Sequence, residues 1–333
     1  MDNKGFIVND NRVRLENVIP LSTPFSIFID VCNACNFKCK FCAIQYTKES
    51  LPFKKQSMSL DLFEKIIDDI SEFDDRIKML RLAANGEPLL NKHFPDMVDY
   101  AKKMHVADWI ETVTNGSLLT PELGKAIDDA GLDRIRISIE AVDPEGYYEM
   151  SGVRVEWDEF LDNLRCFYEN KKHCEVYIKI VDAAVDTDSK KKKFYDTFSN
   201  CADKIAIEHV IPMWTGYDNI YTDFKIDNQK GLHESVIKKI DICPFPFYSF
   251  VINPDGQLTI CCSDWKREMI MGDVCKESIV KIWNSDKYRE FLINMVKEGR
   301  NSCSSTCSKC DYPCFDSVDY LDDYKDKILD RLG

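Results

Sequence analysis

Six short apolar segments rich in β-branched residues recur along the first two thirds of the chain. They are FSIFID (25–30), IKMLRLAA (77–84), WIETVTN (109–115), RIRISIE (134–140), EVYIKIV (175–181) and IAIEHVI (205–211). Each reads as a strand, and the stretches between them carry apolar residues at helical spacing. Helix starts are marked as well. Ser59 stands before the apolar pattern LDLFEKIIDDI, and Thr120 with Pro121 supplies a capping hydroxyl followed by proline at the first helical position. Six strand–helix units in alternation predict an α/β fold with a parallel sheet, open or curled into a barrel. Sites in such folds lie at the carboxyl ends of the strands. Along the fourth strand, period two places Arg136 and Glu140 on the same face as Ser138. If that face is the interior, the interior is partly charged, and Lys179 with either Glu208 or His209 can join it from neighbouring strands.

The last third breaks the pattern. CPFPFYSFVINPDGQLTICC (243–262) reads as a hairpin turning at NPDG. Of the 333 residues 44% are hydrophobic and 30% charged, with no apolar run long enough to span a bilayer. The opening MDNKGFIVND lacks the basic start and apolar stretch of a signal peptide, so a cytoplasmic protein with no membrane partner is expected. A net charge of -13 argues against nucleic acid, which needs a basic face. The one basic run, Lys190 to Lys193, reads as the solvated start of a helix after Ser189.

Fifteen cysteines are abnormal for such a chain, and they gather towards its two ends. Without a secretory signal, metal binding or catalysis explains them better than disulfides do. CNACNFKCKFC (32–42) parses either as the pairs Cys32/Cys35 and Cys39/Cys42 or as the triplet Cys35, Cys39 and Cys42. Zinc ribbons separate their pairs by a dozen residues or more, about four times the gap here. The triplet offers three thiolates from one short loop, and a 4Fe-4S cluster held so keeps one iron without a protein ligand. At the other end Cys243, Cys261, Cys307 and Cys310 make a four-thiolate set for a complete cluster, or for zinc. Cys303, Cys307 and Cys310 repeat the spacing of the first triplet, but they follow the strand–helix array, whereas the first triplet precedes it. Cys303 and Cys314 are extra, and Cys32, Cys166, Cys174, Cys201 and Cys275 read as packing residues.

With Phe41, the first triplet spells C-x3-C-x-aromatic-C and resembles the signature of the radical S-adenosylmethionine superfamily. The resemblance implies a partial (βα)6 TIM-like barrel, with S-adenosylmethionine on the open iron and a 5'-deoxyadenosyl radical as its product. NGEP (85–88) is similar to the family's G-G-E motif with Asn85 in place of the first glycine, which implies cofactor contacts from Asn85, Gly86 and Glu87. Ser138 and Glu140 resemble the ribose-binding position. TNG (114–116) reads equally as an ordinary turn or as part of the pocket. The C-x12-G-x4-C run from Cys243 through Gly256 to Cys261 resembles the opening of twitch and SPASM extensions. The segments expected are an N-terminal extension at 1–24, the barrel at 25–240, a small C-terminal iron–sulfur domain at 241–317 and a final helix at 318–333.

Two 4Fe-4S clusters follow from this likeness, one binding S-adenosylmethionine and one auxiliary. So does an external electron donor such as flavodoxin or ferredoxin. About two dozen residues before the first strand leave no room for a leader-peptide recognition domain, so the expected substrate is small and polar, of sugar, aminocyclitol or polyol type. Oxidation of it is favoured, with Lys179 or Glu208 as base. The alternatives are epimerisation with Cys262 as hydrogen donor, dehydration, or maturation of a ribosomal peptide. A non-enzymatic iron–sulfur protein is the reading from outside catalysis.

Overall fold

The computed structural model describes residues 13–42, 53–213, 224, 229–232, 236–316 and 319–333. The opening decapeptide MDNKGFIVND lies outside them. All six expected strands form: β1 (Ser26–Ile29), β2 (Met79–Arg81), β3 (Ile110–Thr114), β4 (Arg134–Ile139), β5 (Glu175–Val181) and β6 (Lys204–Glu208). They pair in parallel in sequence order, with Ile27 opposite Leu80, Val113 opposite Arg136 and Ser138 opposite Lys179. Alternation divides the faces. On β4 Ile135, Ile137 and Ile139 are buried under the helices, while Arg134, Arg136 and Ser138 face inward.

The crossover helices are α1 (Leu60–Ser71), α2 (Phe94–Lys103), α3 (Pro121–Asp129), the pair α4 (Pro144–Ser151) and α5 (Trp157–Asn170), and α6 (Asp188–Phe198). Ser59 and Thr120 cap as their sequence predicts, accepting from the backbone N–H groups of Leu62 and Leu123. Helix α6 differs. Thr187, not Ser189, accepts from Lys190 N–H, so the helix starts two residues earlier and carries Lys190 to Lys193 on its exposed first turns. Lys190 pairs with Asp186 and Lys193 with Asp143, the solvated face expected of the run.

Beyond the barrel, β7 (Ser249–Ile252) pairs in parallel with β1, and β8 (Gln257–Thr259) and β9 (Ile270–Asp273) follow antiparallel. One nine-stranded sheet results, in the order β6-β5-β4-β3-β2-β1-β7-β8-β9. The hairpin turns where expected, with Gly256 at φ 86°, a conformation that costs glycine least. Helices α7 (Ile279–Trp283), α8 (Asp286–Glu298), α9 (Ser305–Lys309), α10 (Tyr312–Asp316) and α11 (Lys325–Leu332) complete the chain. Asp69 of α1 accepts from Ile279 N–H, and Trp283 donates its indole N–H to Leu21 O, so the C-terminal third is tied to the barrel by polar contacts as well as by the sheet. Among the described residues no helix is long and apolar enough to cross a membrane.

Candidate active site

The cysteine loop leaves β1 at the carboxyl edge of the sheet and is held by groups other than its thiols. Asn33 donates to Lys54 O and accepts from Gln56 N–H, and Met58 N–H reaches Val31 O. On the opposite side Lys38 and Lys40 donate their backbone N–H groups to Ser151 and Met150 at the end of α4. Buried Phe37 meets Tyr147 edge-on, with ring centroids 6.0 Å apart. Cys35, Cys39 and Cys42 are left half-buried on one stretch, and Phe41 packs edge-on against Phe224. Burial, and then the nearby Glu140, pushes the Cys39 thiol far up, and burial also raises Cys35. Neither thiol is ionised on its own at neutral pH, so the proton leaves as a metal arrives.

The loop after β2 lies directly on the cysteine loop. A methyl group on Gly86 would stand 2.1 Å from Cys32 O and 2.5 Å from Ala34 O, so only glycine allows this approach. Glu87 N–H donates to Ala34 O at 2.8 Å. The Glu87 carboxylate turns towards β3: it accepts from Thr114 Oγ1 at 2.6 Å, from Asn115 N–H at 2.8 Å and from Leu89 N–H at 3.0 Å. Asn115 in turn donates to Asn36 Oδ1, Asn36 to Ser117 Oγ, and Ser117 back to Asn115 Oδ1, all within 3.0 Å. This closed ring ties β3 to the middle of the cysteine triplet. The Asn-Gly turn thus has a structural task that sequence alone did not assign. Asn36 was missed altogether, because a lone polar residue in a loop has no periodicity to betray it. Glu87→Gln replaces an acceptor of three hydrogen bonds with a group that must also donate. We expect it to lower stability by about 1–3 kcal/mol in urea unfolding, and to weaken S-adenosylmethionine in equilibrium binding while iron content holds.

Asp30, at the end of β1, is buried between this loop and the β7 hairpin. It accepts from Asn85 N–H at a long 3.4 Å, and its Oδ2 has no partner. Burial raises it from 3.8 to about 7, against weaker help from the Asn85 N–H and Arg267. A carboxyl raised on folding keeps its proton in the native state while the unfolded chain loses it. Its contribution is therefore present below pH 3.8 and is lost as pH rises through about 7. In the metal-free protein Asp30→Asn should remove this loss, leaving the variant more stable than wild type at pH 8 by about 2 to 4 kcal/mol and nearly equal at pH 4. Urea midpoints at the two pH values check it.

Inside the sheet the charged face forms a connected network. Arg81 Nε donates to Glu111 at 2.7 Å, and Arg134 also reaches Glu111, at 3.4 Å. Glu175 takes Arg134 and, at 3.0 Å, Lys204. Glu208 accepts from Lys179 at 2.7 Å, from Tyr177 OH at 2.9 Å and from Arg136 at 3.4 Å. Of the two candidates on β6, Glu208 therefore joins Lys179. His209 points to the other side and pairs with Asp182, as period two requires. Burial opposes the charge on Glu111, but Arg81 and Arg136 beside it hold it below the ordinary range. Ser138 sits above Arg136, half-buried, and Glu140 is buried at the strand end against Cys39 with Oε2 unpartnered. Burial lifts Glu140 to about 7, with Cys39 and Lys179 pulling the other way.

At the other cysteine set, Cys243, Cys261, Cys307 and Cys310 line one cavity, together with Phe245, Ile260, Met269 and Tyr312. Cys303 and Cys314 are not among its lining residues. Cys303 donates to Gly299 O, and Cys314 accepts from Arg300. Cys262 does not alternate with its neighbour Cys261, because the chain leaves β8 at Thr259. The Cys261 thiol donates to Cys262, which lowers Cys262 while raising Cys261, and Arg81 lowers Cys262 further. Buried Arg300 lines the same cavity with Nε and Nη1 both unpartnered. An anionic cluster, with sulfides that accept hydrogen bonds, fits four thiols and such a guanidinium.

The profile of the Radical SAM superfamily matches residues 29–192, and that of an iron–sulfur cluster-binding domain, SPASM, matches 243–311. A tungsten-containing aldehyde ferredoxin oxidoreductase cofactor-modifying protein of Pyrococcus furiosus is 33% identical over 116 residues, 35% of this chain. The match covers 31% of that protein, so the chain spans about a third of this relative's length. Streptococcus suis SuiB bound to precursor peptide SuiA superposes with a TM-score of 0.63 at 15% identity, over 92% of this chain and 74% of SuiB. BtrN in complex with AdoMet and 2-DOIA does so with a TM-score of 0.54 at 18% identity, over 86% of this chain and 92% of BtrN. Both share the fold. The chain belongs to the radical S-adenosylmethionine superfamily and carries a C-terminal iron–sulfur cluster-binding domain.

Proposed function

We propose that this enzyme takes a hydrogen atom from a peptide substrate and completes an oxidation, with the C-terminal cluster as electron acceptor. Bound S-adenosylmethionine and a reduced cluster at Cys35, Cys39 and Cys42 supply the 5'-deoxyadenosyl radical that makes the abstraction. The observation that carries the oxidation is the single cavity lined by Cys243, Cys261, Cys307 and Cys310, built on the same sheet as the cysteine loop. A substrate carbon radical bearing a hydroxyl or amine becomes a carbonyl or imine by losing one electron and one proton. Within the Lys179–Glu208 pair the carboxylate is the member with lone pairs to accept that proton. In this reading Asn85, Gly86, Glu87, Ser138 and Glu140 surround the cofactor, and Phe41 flanks the cluster. An external reductant such as flavodoxin or ferredoxin starts each turnover.

The peptide is favoured by the likeness to SuiB with its precursor peptide, which has a higher TM-score than the likeness to BtrN. A small polar substrate is the second reading, favoured by the charged inner face of β2 to β6 and by the 2-DOIA of BtrN. Cells grown in deuterated water give a labelled extract, which can be divided into peptide and small-molecule pools. Deuterium in 5'-deoxyadenosine from the peptide pool supports the first reading. Label from the small-molecule pool alone would establish the second.

A further inference from the structure

The inner network is unbalanced in charge. Among the described residues it holds five cations, Arg81, Arg134, Arg136, Lys179 and Lys204, against three carboxylates, Glu111, Glu175 and Glu208. The excess is two positive charges while Glu140, on the same face and lifted to about 7 by burial, holds its proton, in a protein whose net charge is -13. Position sharpens it. The side chains of Glu111 and Glu208 are only 3% and 4% exposed, whereas those of Arg134 and Lys204 are 27% and 32% exposed. Glu175, 23% exposed, lies between those two cations, so an entering group meets two cations and one acid, with the other acids behind them. Arg136 adds a buried Nε without a partner, and burial, which opposes its charge, is outweighed by Glu208 and Glu111. A purely structural network would gain nothing from surplus cations, whose desolvation costs free energy.

We propose that this inner face binds a dianionic oxyanion on the substrate. A phosphate monoester carries about -1.5 to -2 charges at neutral pH and matches the excess, as do two neighbouring carboxylates, whereas one carboxylate offsets half of it. The proposal rests on the hydrogen-abstraction reading above and names what its substrate carries. The two sources of such a group are a phosphorylated small molecule and an acidic peptide segment. Isothermal titration of the reconstituted holoenzyme with inorganic pyrophosphate, and separately with an Asp-Glu-containing synthetic hexapeptide, distinguishes them by which binds more tightly. Arg136→Gln and, should it fold poorly, Arg134→Gln are expected to weaken the tighter probe by about tenfold or more. Glu111→Gln, which enlarges the excess, should tighten it, an effect of opposite sign that a structural role does not produce. No binding by either probe, or equal binding in wild type and both arginine variants, overturns the proposal. S-adenosylmethionine cleavage measured on the same samples shows separately whether the radical chemistry stands.

A second inference stands on a different observation. Arg300, 8% exposed, lines the C-terminal cavity with two N–H-bearing nitrogens unpartnered, while its Nη2 alone meets Asp311 and Cys314. We infer that Arg300 donates to the auxiliary cluster and, by its charge, makes that cluster easier to reduce, setting it as the acceptor. Reduction adds a negative charge, which a buried cation stabilises. Potentiometric titration followed by electron paramagnetic resonance should place the auxiliary potential lower in Arg300→Gln than in wild type, by a tenfold or larger change in the reduction equilibrium, and Arg300→Lys should recover part of the shift. Equal potentials in wild type and Arg300→Gln, with both clusters loaded, would sink the inference.

Discussion

Protein in which Cys35, Cys39 and Cys42 are all alanine is expected to lose about half its iron and every trace of S-adenosylmethionine cleavage, while still folding and filling its C-terminal site. Two 4Fe-4S clusters carry about eight iron atoms, and these three side chains would hold four of them. Folding should survive because the loop is fastened by Asn33, Phe37 and the backbone of Lys38 and Lys40, none of which depends on a thiol. The packing cost of the change is small, since the three thiols are only half-buried and alanine removes one sulfur atom from each. Iron analysis, circular dichroism and chromatography of 5'-deoxyadenosine check the three parts separately. Cleavage that persists would remove the triplet from the site.

The complementary change has the opposite profile. With Cys243, Cys261, Cys307 and Cys310 replaced by alanine, reductive cleavage of S-adenosylmethionine should continue, and oxidised product should fall to background. The substrate radical would then have no acceptor, and hydrogen returned from solvent or reductant would leave deuterium in recovered substrate when the reaction runs in deuterated water. Stability should also drop, because four buried or half-buried thiols around one cavity lose both cluster and packing. Undiminished oxidised product from a folded variant would contradict the assignment of this set as acceptor. Stoichiometric deuterium at an inverted carbon in the wild type, lost in Cys262→Ala, would instead make the enzyme an epimerase.

The barrel strands, the hairpin and the caps at Ser59 and Thr120 were legible because each rests on local rules: period two, β-branched runs, an asparagine–proline turn, a hydroxyl before an apolar repeat. The two cysteine sets were legible because thiols at such density have few other uses. Pairing of β7 with β1 was not, since the two strands are more than two hundred residues apart and parallel partners leave no turn signal between them. Nor was the turn of the Glu87 carboxylate towards β3, or the ring of Asn36, Asn115 and Ser117, because loop geometry decides where short polar side chains meet. The departure of Cys262 from alternation follows from β8 stopping at Thr259, a boundary no propensity marks. Arg300 could have been noticed only as a lone basic residue near Cys303. Its meaning depends on what it lacks, and that is a property of three dimensions.

The parallel ladder between β1 and β7 bears on any attempt to study the barrel by itself. A chain cut near residue 240 would keep all six barrel strands and the cysteine loop. Yet it would strip β1, the strand that launches that loop, of one of its two partners. Asp30 N–H, which now reaches Ile252 O, would face water, and Ser26 to Ile29 would become an open rim with free donors and acceptors. Such rims recruit other chains. The excised barrel should therefore self-associate, and its loop should loosen, so that what looks like an appendage in the sequence serves as the selvage that keeps the sheet from unravelling into its neighbours.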